Sequence, residues 1–138
     1  LALGATHVAH PDELDDLLAT VAPDGVDYAI DAVGDPSTTA YALARGGSGS
    51  TTVIVGLPAA GRRLDLDPVD LIRKEKWLTG CLYGSEDPAA ALPILLDHVR
   101  AGRLELASLI GRVYPLAEVD AAVAESLAGH GGRVLLEP

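Results

Sequence analysis

The stretch VDYAIDAVGDPSTTAYALA, residues 26–44, decides the fold. Val26 to Val33 reads as a strand with mixed alternation, closed by Gly34. Asp35-Pro36 then pairs a capping side chain with a proline at the first helical position, predicting a helix through Tyr41 to about Ala44. Downstream, Gly46 to Ser50 reads as loop. TTVIVGL, residues 51–57, is dense in β-branched residues and reads as a buried parallel strand. Leu64 to Asp67 alternates like a short, half-exposed strand, and Pro68 opens a helical turn to about Lys74. KWLTGCLY, residues 76–83, reads as a strand ending at Gly84. Asp87-Pro88 repeats the cap-and-proline signal, and Leu92, Ile94, Leu95, His98 and Val99 mark an amphipathic helix ending near Gly102. Leu109 to Tyr114 (strand), an Ala-rich helix to about Ala128, a turn at Gly129 to Gly132 and a strand at Arg133 to Leu136 complete the chain. Upstream, Gly4 suits a helix end and Thr6 to Val8 a short strand. Pro11 and the acids from Asp12 to Asp16 open a helix carried by Leu14, Leu17, Leu18 and Val21. Pro23-Asp24-Gly25 closes it.

Strands alternating with helices predict an α/β fold with a mostly parallel sheet. Ligands of such sheets sit beyond the carboxyl ends of the strands. Here those ends are Ala32-Val33-Gly34, Val55-Gly56-Leu57 and Cys81-Leu82-Tyr83-Gly84. Small residues there let a flat ligand approach the backbone. Spacing alone accounts for the same glycines as strand-to-helix turns.

Composition narrows the function. Ten basic against twenty acidic side chains give a net charge of −10, which argues against nucleic acid as a partner. No apolar run reaches the ~18 residues of a membrane span. One cysteine can form neither an internal disulfide nor a cysteine zinc cluster, so a reducing cytoplasm is expected. The sequence contains no Met and opens in mid-pattern at Leu1, which predicts the rear part of a longer chain.

Most local motifs fail on context. Gly47-Ser48-Gly49 lacks the third glycine of a dinucleotide fingerprint and precedes a strand instead of opening a helix. Gly56 to Gly61 has phosphate-loop spacing, but Arg62-Arg63 stands where Lys-Ser/Thr belongs. His7, His10, His98 and His130 show no metal-ligand spacing. His98, on the apolar side of its helix, reads as a satisfied, partly buried histidine, and Cys81 reads as a small buried hydrophobe. No acid–base pair qualifies as catalytic, and no residue qualifies as a metal ligand. Arg133, after two glycines and at the start of the last strand, offers a rigid fork suited to phosphate or carboxylate. Without further context it is an ordinary exposed arginine.

The ordered set LGATHV, GVDYAIDAVG, TTVIVGLP, KWLTGCLYG, RVYPLAEVDAAVAESLAG and GRVLLEP resembles the second half of the zinc-dependent medium-chain alcohol dehydrogenases, over essentially all 138 residues. The resemblance implies a truncated Rossmann-type parallel sheet lacking its first two strands. Residues 1–104 would be the partial coenzyme domain, and 105–138 a segment returning towards the catalytic domain. It implies NAD as cofactor, with NADP the alternative. Ala32, Val33 and Gly34 would lie against the adenosine part. Val55 and the stretch Cys81 to Tyr83 would offer backbone groups to the nicotinamide carboxamide, whose two donors and one acceptor suit main-chain partners, and Gly56 would also belong to the cofactor site. Leu57 would border the substrate pocket and Arg133 would reach the pyrophosphate. Leu57 to Tyr83 is similar to the family's subunit-pairing stretch, implying a homodimer or homotetramer.

The glycine-rich fingerprint and the family's zinc ligands do not occur in this sequence, so zinc would be bound elsewhere in the parent protein. The resemblance therefore implies hydride transfer between the coenzyme and an alcohol or aldehyde in that parent, with this chain inactive alone. A zinc-free quinone reductase of the same fold is the neighbouring reading. A catalytically silent α/β fragment that binds or dimerises is the third. With the two preceding strands absent, Thr6–Val8 would have to pair elsewhere, in register beside Val26–Val33, or remain poorly held.

Overall fold

The structure, a computed structural model, describes residues 3–129 and 131–138. Leu1, Ala2 and His130, and with them part of LALGATHV and the centre of the turn at 129–132, lie outside the described residues. The chain divides into two compact units, Leu1–Ser85 and Glu86–Pro138.

The first unit opens with a 3-10 turn, Pro11–Glu13, running into α1 (Leu14–Val21). Then come β1 (Val26–Asp31), α2 (Pro36–Arg45), β2 (Gly46–Ile54), α3 (Pro68–Lys74) and β3 (Trp77–Gly80). The three strands form one parallel sheet in the order β1-β2-β3. Tyr28 lies opposite Thr51, and Thr52 opposite Leu78. A parallel pair needs a crossover, and α2 and α3 supply the two crossovers. The second unit holds α4 (Pro88–Arg100), β4 (Ile110–Pro115), α5 (Val119–Ala128) and β5 (Arg133–Glu137), with β4 parallel to β5.

Three Asp-Pro pairs start helices in the same way. Asp35, Asp67 and Asp87 each accept from the amide two residues on, at Ser37, Val69 and Ala89, all at 2.9 Å. The proline that follows costs nothing, because its missing N–H has no partner in a first turn.

Four expectations are corrected. Thr6 to Val8 is not a strand: the segment is exposed and joins neither sheet. It has not paired beside β1, so its ladder hydrogen bonds have no partner strand. Leu64 to Asp67 is likewise outside any strand. Gly46 to Ser50, expected as loop, is the start of β2. Gly46 lies opposite Val26, and the register then slips so that Tyr28 meets Thr51. The glycines accommodate that irregularity inside a strand, where the sequence suggested a break. The three strands also end early, at Asp31, Ile54 and Gly80, so the expected ligand-facing residues lie on loops beyond the ladder.

Lys76 holds the far end of this unit together. Its fully buried ammonium donates to the Leu43 carbonyl and the Asp70 carboxylate, both at 2.8 Å. A buried cation is tolerated only with such partners. Buried apolar side chains are few among the described residues: Leu43 in the first unit, Tyr114 and Ala122 in the second.

Candidate functional site

The carboxyl ends of β1 and β2 are joined by their backbones. A Cβ on Gly34 would fall 2.4 Å from the Gly56 carbonyl, and a Cβ on Gly56 would fall 2.3 Å from the Gly34 nitrogen. Neither position admits a side chain. Gly34 also has φ of +79°, a left-handed conformation that glycine adopts without penalty. These glycines do more than turn the chain: they press two strand ends into contact.

Asp31, the last residue of β1, organises that contact, and sequence reasoning passed it over. Its carboxylate is buried and accepts from the Val33 and Gly34 amides at 3.0 Å. It also accepts from the Thr38 hydroxyl at 3.1 Å and the Thr39 hydroxyl at 2.5 Å, both on α2. Its main-chain carbonyl accepts from the Val55 and Gly56 amides, each at 2.9 Å. Burial pushes the carboxyl pKa up, but the donors from Gly34, Thr39, Val33 and Thr38 outweigh it and hold the group below the ordinary aspartate value. The available signal was an Asp at the strand end followed by Thr38-Thr39 on the next helix.

A hollow of about 280 Å³ opens over this junction, lined by Val33, Gly34, Asp35, Leu57, Pro58, Ala59 and Arg62. Three of the expected residues, Val33, Gly34 and Leu57, therefore share one cavity. Leu57 and Val33 are exposed there, Leu57 at 88%. At the rim, Arg62 Nη2 meets Asp35 Oδ2 at 2.7 Å, linking the loop after β2 to the start of α2. Ser37 and Arg62 lower the Asp35 pKa, the hydroxyl and amide of Ser37 being the larger influence.

The third strand end is tied in by the Cys81 amide, which donates to the Ile54 carbonyl at 2.9 Å. Cys81 is half-buried. Tyr83, Gly84 and Ser85 all have positive φ (50°, 78° and 59°), a left-handed turn that costs about 1–2 kcal/mol at each non-glycine residue. Tyr83 is exposed. Ala32 is also exposed and faces a second, apolar hollow with Tyr28, Ile30 and Tyr41.

The amides of Val33, Gly34, Val55, Gly56 and Cys81 are all committed to internal bonds. The carbonyls of Val55 and Cys81 accept no main-chain bond among the described residues. What these two strand ends leave without a main-chain partner is therefore carbonyl acceptors, which suit a group bearing N–H donors.

Arg133 stands exposed at the start of β5 in the second unit, opposite Ile110. No carboxylate pairs with it among the described residues. His98 is half-buried, and its Nδ1 accepts from Arg103 Nε at 2.9 Å, the satisfied histidine that was expected. No three His, Cys, Asp or Glu side chains gather to hold a metal among the described residues.

The zinc-binding dehydrogenase family matches residues 1–97. The geraniol dehydrogenase of Castellaniella defragrans is 30% identical, over 99% of this chain and 37% of its own length. An alcohol dehydrogenase zinc-binding domain protein from Burkholderia ambifaria superposes with a TM-score of 0.90 at 28% identity, over 99% of this chain and 37% of that one. A protein from Sinorhizobium meliloti 1021, solved bound to NADP, superposes with a TM-score of 0.85 at 25% identity, over 99% and 40%. The chain thus spans somewhat over a third of the length of these relatives, and its parallel α/β sheet matches the Rossmann-like part of the solved structures.

Proposed function

This chain belongs to the zinc-binding dehydrogenase family, and from that premise we propose that it is the coenzyme-gripping part of an NAD-dependent alcohol dehydrogenase. NADP is the alternative coenzyme, the one bound in the Sinorhizobium structure. The observation that carries the reading is the Gly34–Gly56 contact, which turns two strand ends into one flat floor beneath an open hollow.

A bound nicotinamide ring supplies the hydride acceptor or donor for alcohol–aldehyde interconversion. The residues of this chain hold and orient it. The Val55 and Cys81 carbonyls accept from the carboxamide N–H₂, which selects one ring face. Ala32, Val33 and Gly34 support the adenosine side, Leu57 excludes water next to the reacting carbon, and Tyr83 flanks the ring. Arg133 pairs with the pyrophosphate, a charge-assisted contact that outlasts competition from water. Residues 105–138 return towards the catalytic domain of the parent protein. The stretch from Leu57 to Tyr83, with exposed Trp77 on β3 at the open edge of the sheet, pairs subunits into a dimer or tetramer. The parent enzyme works in the cytoplasm. Among the described residues no helix is long and apolar enough to cross a membrane.

Titration of the ¹⁵N-labelled chain with NADH and with NADPH tests this. Amide shifts are expected at Val33, Gly34, Val55 to Leu57 and Cys81 to Tyr83, and Arg133→Ala should weaken binding by about tenfold, the equivalent of one charge-assisted bond. Shifts confined to other residues, or none at millimolar coenzyme, defeat the reading. An affinity unaltered by Arg133→Ala removes that residue from the site.

A further inference from the structure

We propose that Asp31 is a positioning residue for the dinucleotide, setting affinity without touching the ligand because its carboxylate and its main-chain carbonyl together fix both strand ends that do. This rests on the dinucleotide reading above. The geometry separates Asp31 from an ordinary buried carboxylate. One residue accepts from six donor groups, and they belong to three different segments: the Val33–Gly34 turn, α2 at Thr38 and Thr39, and the Val55–Gly56 loop. Val33 and Gly34 line the hollow, Leu57 enters it directly after the Val55–Gly56 pair, and Asp35, the cap of α2, stands at its edge. The Gly34–Gly56 approach leaves no slack, so a loosened Val33–Gly34 turn must displace Gly56 as well.

The committed amides have a second consequence. Five N–H groups at the strand ends are committed to internal bonds, four of them to Asp31 and the fifth, Cys81, to Ile54. The ligand is left with carbonyl acceptors, and the donor–acceptor pattern of the floor depends on the Asp31 carboxylate staying in place. Releasing the Val33 and Gly34 amides would add two donors to a surface that should offer acceptors to a carboxamide N–H₂.

Side-chain removal at a buried site also costs stability, so the test needs a variant that destabilises the same unit elsewhere. Lys76→Met serves, because it breaks the buried contacts to Leu43 and Asp70 and stands outside the hollow. NADH affinity is measured by amide shifts on the full chain for wild type, Asp31→Asn, Thr39→Val and Lys76→Met, with circular dichroism reporting the folded fraction. Asp31→Asn should bind about tenfold more weakly, matching the loss of one hydrogen bond to a charged group, and Thr39→Val about threefold. Lys76→Met should bind as wild type once corrected for folded fraction. The Val55 and Gly56 amides, though distant in sequence, should shift in free Asp31→Asn. Wild-type affinity in Asp31→Asn, or equal losses in Asp31→Asn and Lys76→Met, overturns the proposal. If Asp31→Asn does not fold, Thr39→Val decides: its unchanged affinity is equally fatal. Wild type that binds no NADH defeats the dinucleotide reading itself, a result distinct from either failure.

Discussion

Glycine content alone does not say which glycines matter; the neighbours decide. Gly34 and Gly56 face each other's backbone, whereas a Cβ on Gly84 would meet nothing within 4 Å. Gly56→Ala should therefore destabilise the first unit by about 2–3 kcal/mol, because two main chains must part to admit one methyl group. Gly84→Ala should cost only about 1–2 kcal/mol, the penalty of a left-handed non-glycine residue. Urea unfolding midpoints check the order, and a Gly84 variant less stable than the Gly56 variant would contradict the steric argument. The sequence marked both residues as strand-end glycines and could not rank them. Ranking needs the distance between residues 22 positions apart. Asp31 was passed over for a related reason: an acid at a strand end with two threonines on the next helix hints at a network, but only the folded distances show that the donors reach it.

Among the elements, the helix starts were the most legible. Asp35-Pro36, Asp67-Pro68 and Asp87-Pro88 all cap helices, because both members of the pair act through contacts within three residues. Asp87→Ala should lower the stability of α4 by about 1 kcal/mol, the ordinary worth of a cap. A thermal melt of the chain followed by amide exchange at Ala89 to Ala91 would read it, and unchanged protection there would count against the cap. Strand ends were less legible. TTVIVGL and KWLTGCLY are apolar beyond the points where pairing stops, and hydropathy does not report where a carbonyl such as that of Asp31 captures the next two amides. Gly46 to Ser50 failed in the opposite direction, since a glycine-rich run was accommodated in β2 by a register slip.

In the first unit as a whole, acid should be the sensitive condition. Asp15, Asp31, Asp35 and Asp70 all have pKa values below the ordinary aspartate value of 3.8. For Asp15 the cause is Arg45 and then Tyr41, which donate to it across α1 and α2; for Asp70 it is Lys76 and then Lys74. A carboxyl that is more acidic folded than unfolded stabilises fully above the unfolded pKa, and that contribution disappears as pH falls through the folded value. Stability of the first unit should hold from neutrality to about pH 4 and fall steeply below it. Tyr41 acts at the other end. Asp15 raises its pKa above 10, so its contribution is present below that value and lost as pH climbs past it. Denaturation midpoints between pH 2 and pH 11 should show both shoulders, and a flat acid limb would refute the linkage.

The sequence by itself determined the alternation of strands and helices, the capped starts of α2, α3 and α4, and the ordered segments whose resemblance identified the family. All of these are set by patterns of residue type along the chain. Tertiary structure alone decided which strand ends meet, that Thr6 to Val8 joins no sheet among the described residues, and that Asp31 binds both loops of the candidate site. Those outcomes depend on which backbone donors and acceptors find one another across folded distance, and period and propensity carry no record of that choice.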